Sequence, residues 1–139
     1  MEDFCTVVDI KASPDEVLTV LFEVERWPEW TPTMKSVRRL DEGPLAVGSR
    51  ARIRQPKLVP AVWQVTELDA QKGFNWVTQN PGLAIKAMHW VEPGGAGSRV
   101  TLSIGLSGRL RRLAAWIYGD LSKRYIAIEA EGLRKRCEG

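Results

Sequence analysis

From Gly108 to Arg136 the chain carries no proline, and Leu110, Leu113, Ala114, Ile117, Leu121, Ile128 and Leu133 recur along it at helical spacing. This predicts one long amphipathic helix. Gly119 is its weak point, because glycine costs about 1 kcal/mol against alanine inside a helix. A helix of that length must lay its apolar stripe against another layer, and most of what precedes it reads as strand.

In residues 4–12, Phe4, Thr6, Val8, Ile10 and Ala12 fall on one face and Asp3, Cys5, Asp9 and Lys11 on the other, the period of a half-buried strand. Ser13 then offers a helix cap, Pro14 suits the first helical position and Glu16 completes a capping box. Val17, Leu18, Val20 and Leu21 give this helix an apolar side, and Pro28 and Pro32 end it. A second short helical turn and a strand over residues 34–40 follow. Arg50, Arg52 and Arg54 alternate with Ala51, Ile53 and Gln55, which predicts a strand with a basic outer face. Strands over 61–68 and 74–79 flank Asp69-Ala70-Gln71-Lys72-Gly73, a hairpin loop by length and chemistry. Pro81-Gly82 turns the chain, and strands over 83–92 and 99–106 enclose the loop Pro93-Gly94-Gly95-Ala96-Gly97. These seven strands, with no internal repeat or linker, predict one α+β domain over residues 1–139, a length that buries roughly two-thirds of its unfolded surface.

Several function classes drop out. Hydrophobic residues make up 44% and charged residues 27%, the mean hydropathy is −0.21, and no apolar run reaches bilayer length. The opening MEDFCTVVDI lacks the basic-then-apolar order of a secretory signal, so the expected location is cytoplasmic, with reduced thiols. Cys5 and Cys137 form no CxxC and His89 is the lone histidine, so neither a metal nor another cofactor is expected. GxxxxGK[ST], GxGxxG and GxSxG are all missing. A net charge of +3 and a pI of 9.1 fit plain solubility or an anionic partner. Arg109, Arg111, Arg112, Lys123, Arg124, Arg134, Lys135 and Arg136 decorate the last helix, but Asp120, Glu129 and Glu131 interrupt them, as on a solvated face. No nucleic-acid partner is expected. A weak contact with an anionic membrane surface remains open.

Trp27, Trp30 and Pro32 follow the first helix, Gly48 precedes the third strand, and Trp63 with Val65 lies in the fourth. Phe74 with Trp76, Pro81-Gly82, His89, the turn and strand from Gly97 to Thr101, and Gly108 continue the pattern. In this order and spacing the chain resembles the polyketide cyclase/dehydrase and START-like (SRPBCC) superfamily. The resemblance covers essentially the whole chain and implies the helix-grip fold. That fold is a seven-stranded curved antiparallel sheet gripping a long C-terminal helix, with two short helices after strand one. It also implies a cavity that in relatives takes lipids, sterols, quinones, plant hormones or polyketides. Carriers, receptors, cyclases and protein-binding domains share this fold, so function must come from the site.

Alternation puts Phe74, Trp76 and Thr78 on one strand face and leaves Asn75 and Gln79 on the solvent side. His89 falls in step with Leu83, Ile85, Ala87 and Val91 and reads as inward, either satisfied by a neighbouring carbonyl or holding a polar ligand atom. Trp27 and Trp30 read as closing one cavity end. The predicted ligand-binding set is Trp63, Phe74, Trp76, Ala87, His89, Leu102, Ile104, Ile117 and Leu121, with His89 the candidate for any catalytic role. Glu92 and Ser103 read outward, and the facing of Glu67 depends on whether its strand carries a bulge. Three functions follow. The first is binding of a small hydrophobic molecule as carrier or sensor. The second is a cyclase or aromatase in which His89 moves a proton. The third is an interaction module acting through Arg50, Arg52 and Arg54.

Overall fold

A computed structural model describes residues 3–139. Its strands are β1 (Phe4–Ile10), β2 (Ser36–Arg39), β3 (Arg50–Arg54), β4 (Ala61–Asp69), β5 (Gly73–Asn80), β6 (Leu83–Gly94) and β7 (Gly97–Ser107). They form one curved antiparallel sheet in the order β1-β7-β6-β5-β4-β3-β2. Helix α1 (Pro14–Phe22) and a short 3-10 helix (Val24–Glu29) connect β1 to β2, and α2 (Arg111–Glu138) ends the chain. The architecture is the predicted helix-grip arrangement.

Local chemistry explains each joint. The Ser13 hydroxyl accepts the Glu16 N–H at 3.2 Å, with Pro14 at the first helical position, so α1 starts where the capping residues stand. The 3-10 helix carries Pro28 inside it and is pinned by Trp27, whose Nε1 donates to the Leu21 carbonyl at 3.0 Å in the core. At the far end of α2, Arg136 pairs with Glu29 at 2.6 Å, and Glu138 accepts the Lys11 N–H at 2.9 Å. Gly132 lets this crossing close, since a Cβ there would lie 2.1 Å from the Trp30 carbonyl oxygen.

Four departures from the sequence pattern have physical causes. The loop predicted over residues 93–97 is tighter, because β6 and β7 pair as far as Gly94 and Gly97 and Gly95 takes a φ of +53° at the turn. Helix α2 begins at Arg111 rather than at Gly108, which instead adopts a φ of +102° and packs its Cα against Gly82. Gly119 does not break α2: it is buried, and a Cβ there would touch the Phe4 ring at 3.4 Å. Asn75, predicted to face solvent, is only 3% exposed. It does point to the sheet's outer side, but the Trp90 indole lies over it there and donates to Asn75 Oδ1 at 2.8 Å. A bulge between Val65 and Glu67 turns Glu67 outward, opposite Asn75 and 3.8 Å from Lys86.

Candidate functional site

Between the concave face of the sheet and α2 lies a cavity of about 340 Å3. The indoles of Trp27, Trp63 and Trp76 form much of its wall, and α2 contributes Tyr118, Tyr125 and Glu129. Its deep end is sealed by Trp27, 1% exposed, whose ring centroid lies 5.2 Å from that of Trp76. It reaches the surface between α2 and the β3–β4 loop, where lining residues Tyr118 and Val59 are 45% and 82% exposed. The Tyr125 hydroxyl donates to the Pro56 carbonyl and ties that loop to the helix.

His89 stands on β6 in the cavity wall, its ring stacked on Phe74 at 4.5 Å and close to Trp27 at 5.3 Å. Its Nδ1 lies 3.2 Å from the Phe74 carbonyl oxygen, and since a carbonyl can only accept, Nδ1 carries the proton. Burial lowers the imidazole pKa to about 4, against which the Phe74 hydrogen bond works only partly. At neutral pH the ring is therefore uncharged, and Nε2 is a hydrogen-bond acceptor.

Glu129 supplies the opposite character from α2. Burial raises its pKa to about 7, opposed by the Thr33 hydroxyl, which donates to Oε2 at 2.9 Å. Behind Thr33 stands Thr31, 2.9 Å away between hydroxyl oxygens, and both threonines are buried. Donation from Thr33 to Glu129 leaves the Thr31 hydroxyl to donate to Thr33, while Thr31 Oγ1 accepts the Thr33 N–H at 3.3 Å. The wall thus holds a neutral acceptor and a carboxyl poised between protonated and charged, among aromatic and aliphatic side chains and a few further polar ones such as Thr78, Asn80 and Ser122.

Of the residues singled out from the sequence, Trp63, Trp76, Ala87, His89, Leu102 and Ile104 lie on the cavity wall. Phe74 does not: it is fully buried behind His89 and buttresses that ring. Ile117 is 54% exposed and Leu121 sits off the wall, so their predicted placement is corrected. The apolar repeat in α2 mixes two faces, and the cavity side is the one bearing Ala114, Tyr118, Ser122, Tyr125 and Glu129. The sequence pattern places Glu129 with Asp120 and Glu131 on a solvated face, and the structure instead turns it into the cavity wall. Ile126 and Leu133, three residues before and four after Glu129 on the same helix face, are apolar and prove to be buried, and their apolar character was the available signal.

The sequence model of the family described as polyketide cyclase / dehydrase and lipid transport matches residues 1–138. No curated protein sequence matches the chain. Among solved structures, the chain is similar to the Zhui aromatase/cyclase of a Streptomyces species, with a TM-score of 0.79 and 15% identity over 96% of this chain and 92% of that one. Ginseng major latex-like protein 151 from Panax ginseng gives a TM-score of 0.77 at 12% identity, over 98% and 97% of the two chains. A Thermus thermophilus protein gives 0.77 at 16% identity, over 96% and 95%. At such identities these structures share the fold alone. Because the family match runs the length of the chain and the observed fold agrees with it, the chain belongs to the polyketide cyclase/dehydrase and lipid transport family.

Proposed function

We propose that the cavity binds a compact, mostly apolar molecule bearing oxygen functions, and that the protein holds it as a carrier or sensor does. The observation that carries this reading is the composition of the wall. Three indoles suit a planar ring system, and among the polar groups of the wall His89 Nε2 and the Glu129 carboxyl would orient it. An uncharged Nε2 accepts from a ligand hydroxyl, and a protonated Glu129 donates to a ligand carbonyl. At about 340 Å3 the cavity sits at the small end of the roughly 300–1,000 Å3 usual for ligand pockets. Desolvation would drive binding at about 25 cal/mol per Å2 of apolar surface before association costs. Titration with aromatic polyketides, quinones and single-chain fatty acids, followed by tryptophan fluorescence, tests this directly. Saturable quenching by an oxygenated aromatic, abolished in Ala87→Phe, is expected; no response across the panel would refute it.

A second reading, a cyclase or aromatase, has one specific observation in its favour. The environments of His89 and Glu129 push their proton affinities in opposite directions, which is how acid and base roles are separated at one pH. It predicts that a reactive polyketide is converted on incubation and that Glu129→Gln or His89→Ala abolishes turnover. Binding without conversion would leave the carrier reading alone.

A further inference from the structure

The outward side of the first turns of α2 is apolar and uncovered. Leu113, Trp116 and Ile117 are 51%, 83% and 54% exposed, and Leu110, just before the helix, is 40% exposed. Steps of three and four residues place them on one stripe. Beside that stripe Ala114 and Tyr118 belong to the cavity wall, and Val59, 82% exposed, forms the opposite lip. The apolar surface therefore runs up to the cavity mouth.

Arg109, Arg111 and Arg112 are exposed at the same end. Arg26, Arg39, Arg99, Arg134 and Arg136 all sit in ion pairs, whereas these three have none among the described residues. The first turn of α2 contains no acid. Basic residues there oppose the positive end of the helix dipole, so they do not stabilise the start of α2 electrostatically. Clustered arginines beside an exposed tryptophan and aliphatic side chains are what an anionic bilayer surface recognises: phosphates meet the guanidinium groups, and the indole enters the headgroup boundary. A second copy of the chain would bring the same arginines together, with Asp120 the nearest acid along the helix.

We infer that Leu110, Leu113, Trp116 and Ile117, flanked by Arg109, Arg111 and Arg112, dock the cavity mouth onto an anionic membrane surface. This holds whatever the cavity contains. Co-sedimentation with phosphatidylcholine vesicles, with and without phosphatidylserine, reads it out. Binding is expected only with phosphatidylserine, weakening as salt rises. The triple change Arg109→Gln, Arg111→Gln and Arg112→Gln should reduce it on the order of 100-fold, and Leu113→Ala with Trp116→Ala by about 10-fold or more. Removing the same charge at Arg50, Arg52 and Arg54, exposed on the outer face of β3, should leave most of the binding intact. Failure to bind either vesicle, equal binding to neutral vesicles, or equal loss in the β3 triple would overturn the inference. So would an oligomer in the analytical ultracentrifuge that Trp116→Ala dissociates.

Discussion

The Thr33 hydroxyl donates to Glu129 Oε2 at 2.9 Å, joining two residues 96 positions apart across the wall of an aromatic cavity. A carboxyl placed there is easier to keep neutral than charged, and its pKa of about 7 against an ordinary 4.5 expresses that. Below pH 4.5 the group is protonated in both folded and unfolded states. Between 4.5 and 7 the unfolded chain releases the proton first, so folding stability falls as pH rises through this window and levels off above it. Glu129→Gln keeps an acceptor for Thr33 and removes the charge. It should stabilise the protein at pH 8 by roughly 1–3 kcal/mol and change little at pH 4, measured by urea unfolding at both.

His89 acts with the opposite sign. Its folded pKa of about 4 lies below the ordinary 6.5, so in the interval between them the unfolded chain binds the extra proton and stability rises with pH. The two contributions overlap and oppose each other between about 4.5 and 6.5. Replacing either residue exposes the other: Glu129→Gln should steepen the gain in stability over pH 4 to 6.5, and His89→Phe should steepen the decline over pH 4.5 to 7. Parallel pH–stability curves for both variants would contradict the placement of these groups.

Gly73 and Gly132 are among the glycines at which an added methyl group would run into backbone. A Cβ on Gly132 would lie 2.1 Å from the Trp30 carbonyl oxygen, and one on Gly73 would lie 1.9 Å from that of His89, at a φ of +142°. At Gly43 nothing lies within 4 Å of the added Cβ, and only a φ of +82° opposes it. Alanine at Gly73 or Gly132 should cost at least about 2 kcal/mol, and at Gly43 about 1 kcal/mol, in thermal or denaturant unfolding.

The Tyr125 hydroxyl and the Pro56 carbonyl hold the β3–β4 loop against α2 at the cavity mouth. Tyr125→Phe removes this contact at a stability cost of about 1 kcal/mol. Ligand association and dissociation should both accelerate in stopped-flow fluorescence, with equilibrium affinity changed less than either rate.

Periodicity located the strands and the long helix because each half-buried strand shows its buried face every second residue, as Phe74, Trp76 and Thr78 do. It failed where a face is not simply wet or dry. Leu113 and Ile117 recur like core residues yet face outward, so the predicted stripe of α2 was rotated away from the cavity. Asn75 lies on the outer sheet face but is covered by one indole, a contact between strands that alternation along a single strand does not encode. Glu129 was hidden by its residue type: an acid on a helix reads as solvated until the opposing wall and Thr33 are in place. His89 was recognisable as inward, but its acceptor Nε2 follows only from the Phe74 carbonyl beside Nδ1.

The most direct test of ligand binding in the cavity is a native mass spectrum of the gently purified protein, followed by solvent extraction of whatever it carries. A defined excess mass is expected that is lost on denaturation, belongs to an oxygenated apolar molecule, and is missing from Ala87→Phe. A bare mass for the unaltered protein, together with no tryptophan response to any member of the ligand panel, would contradict it.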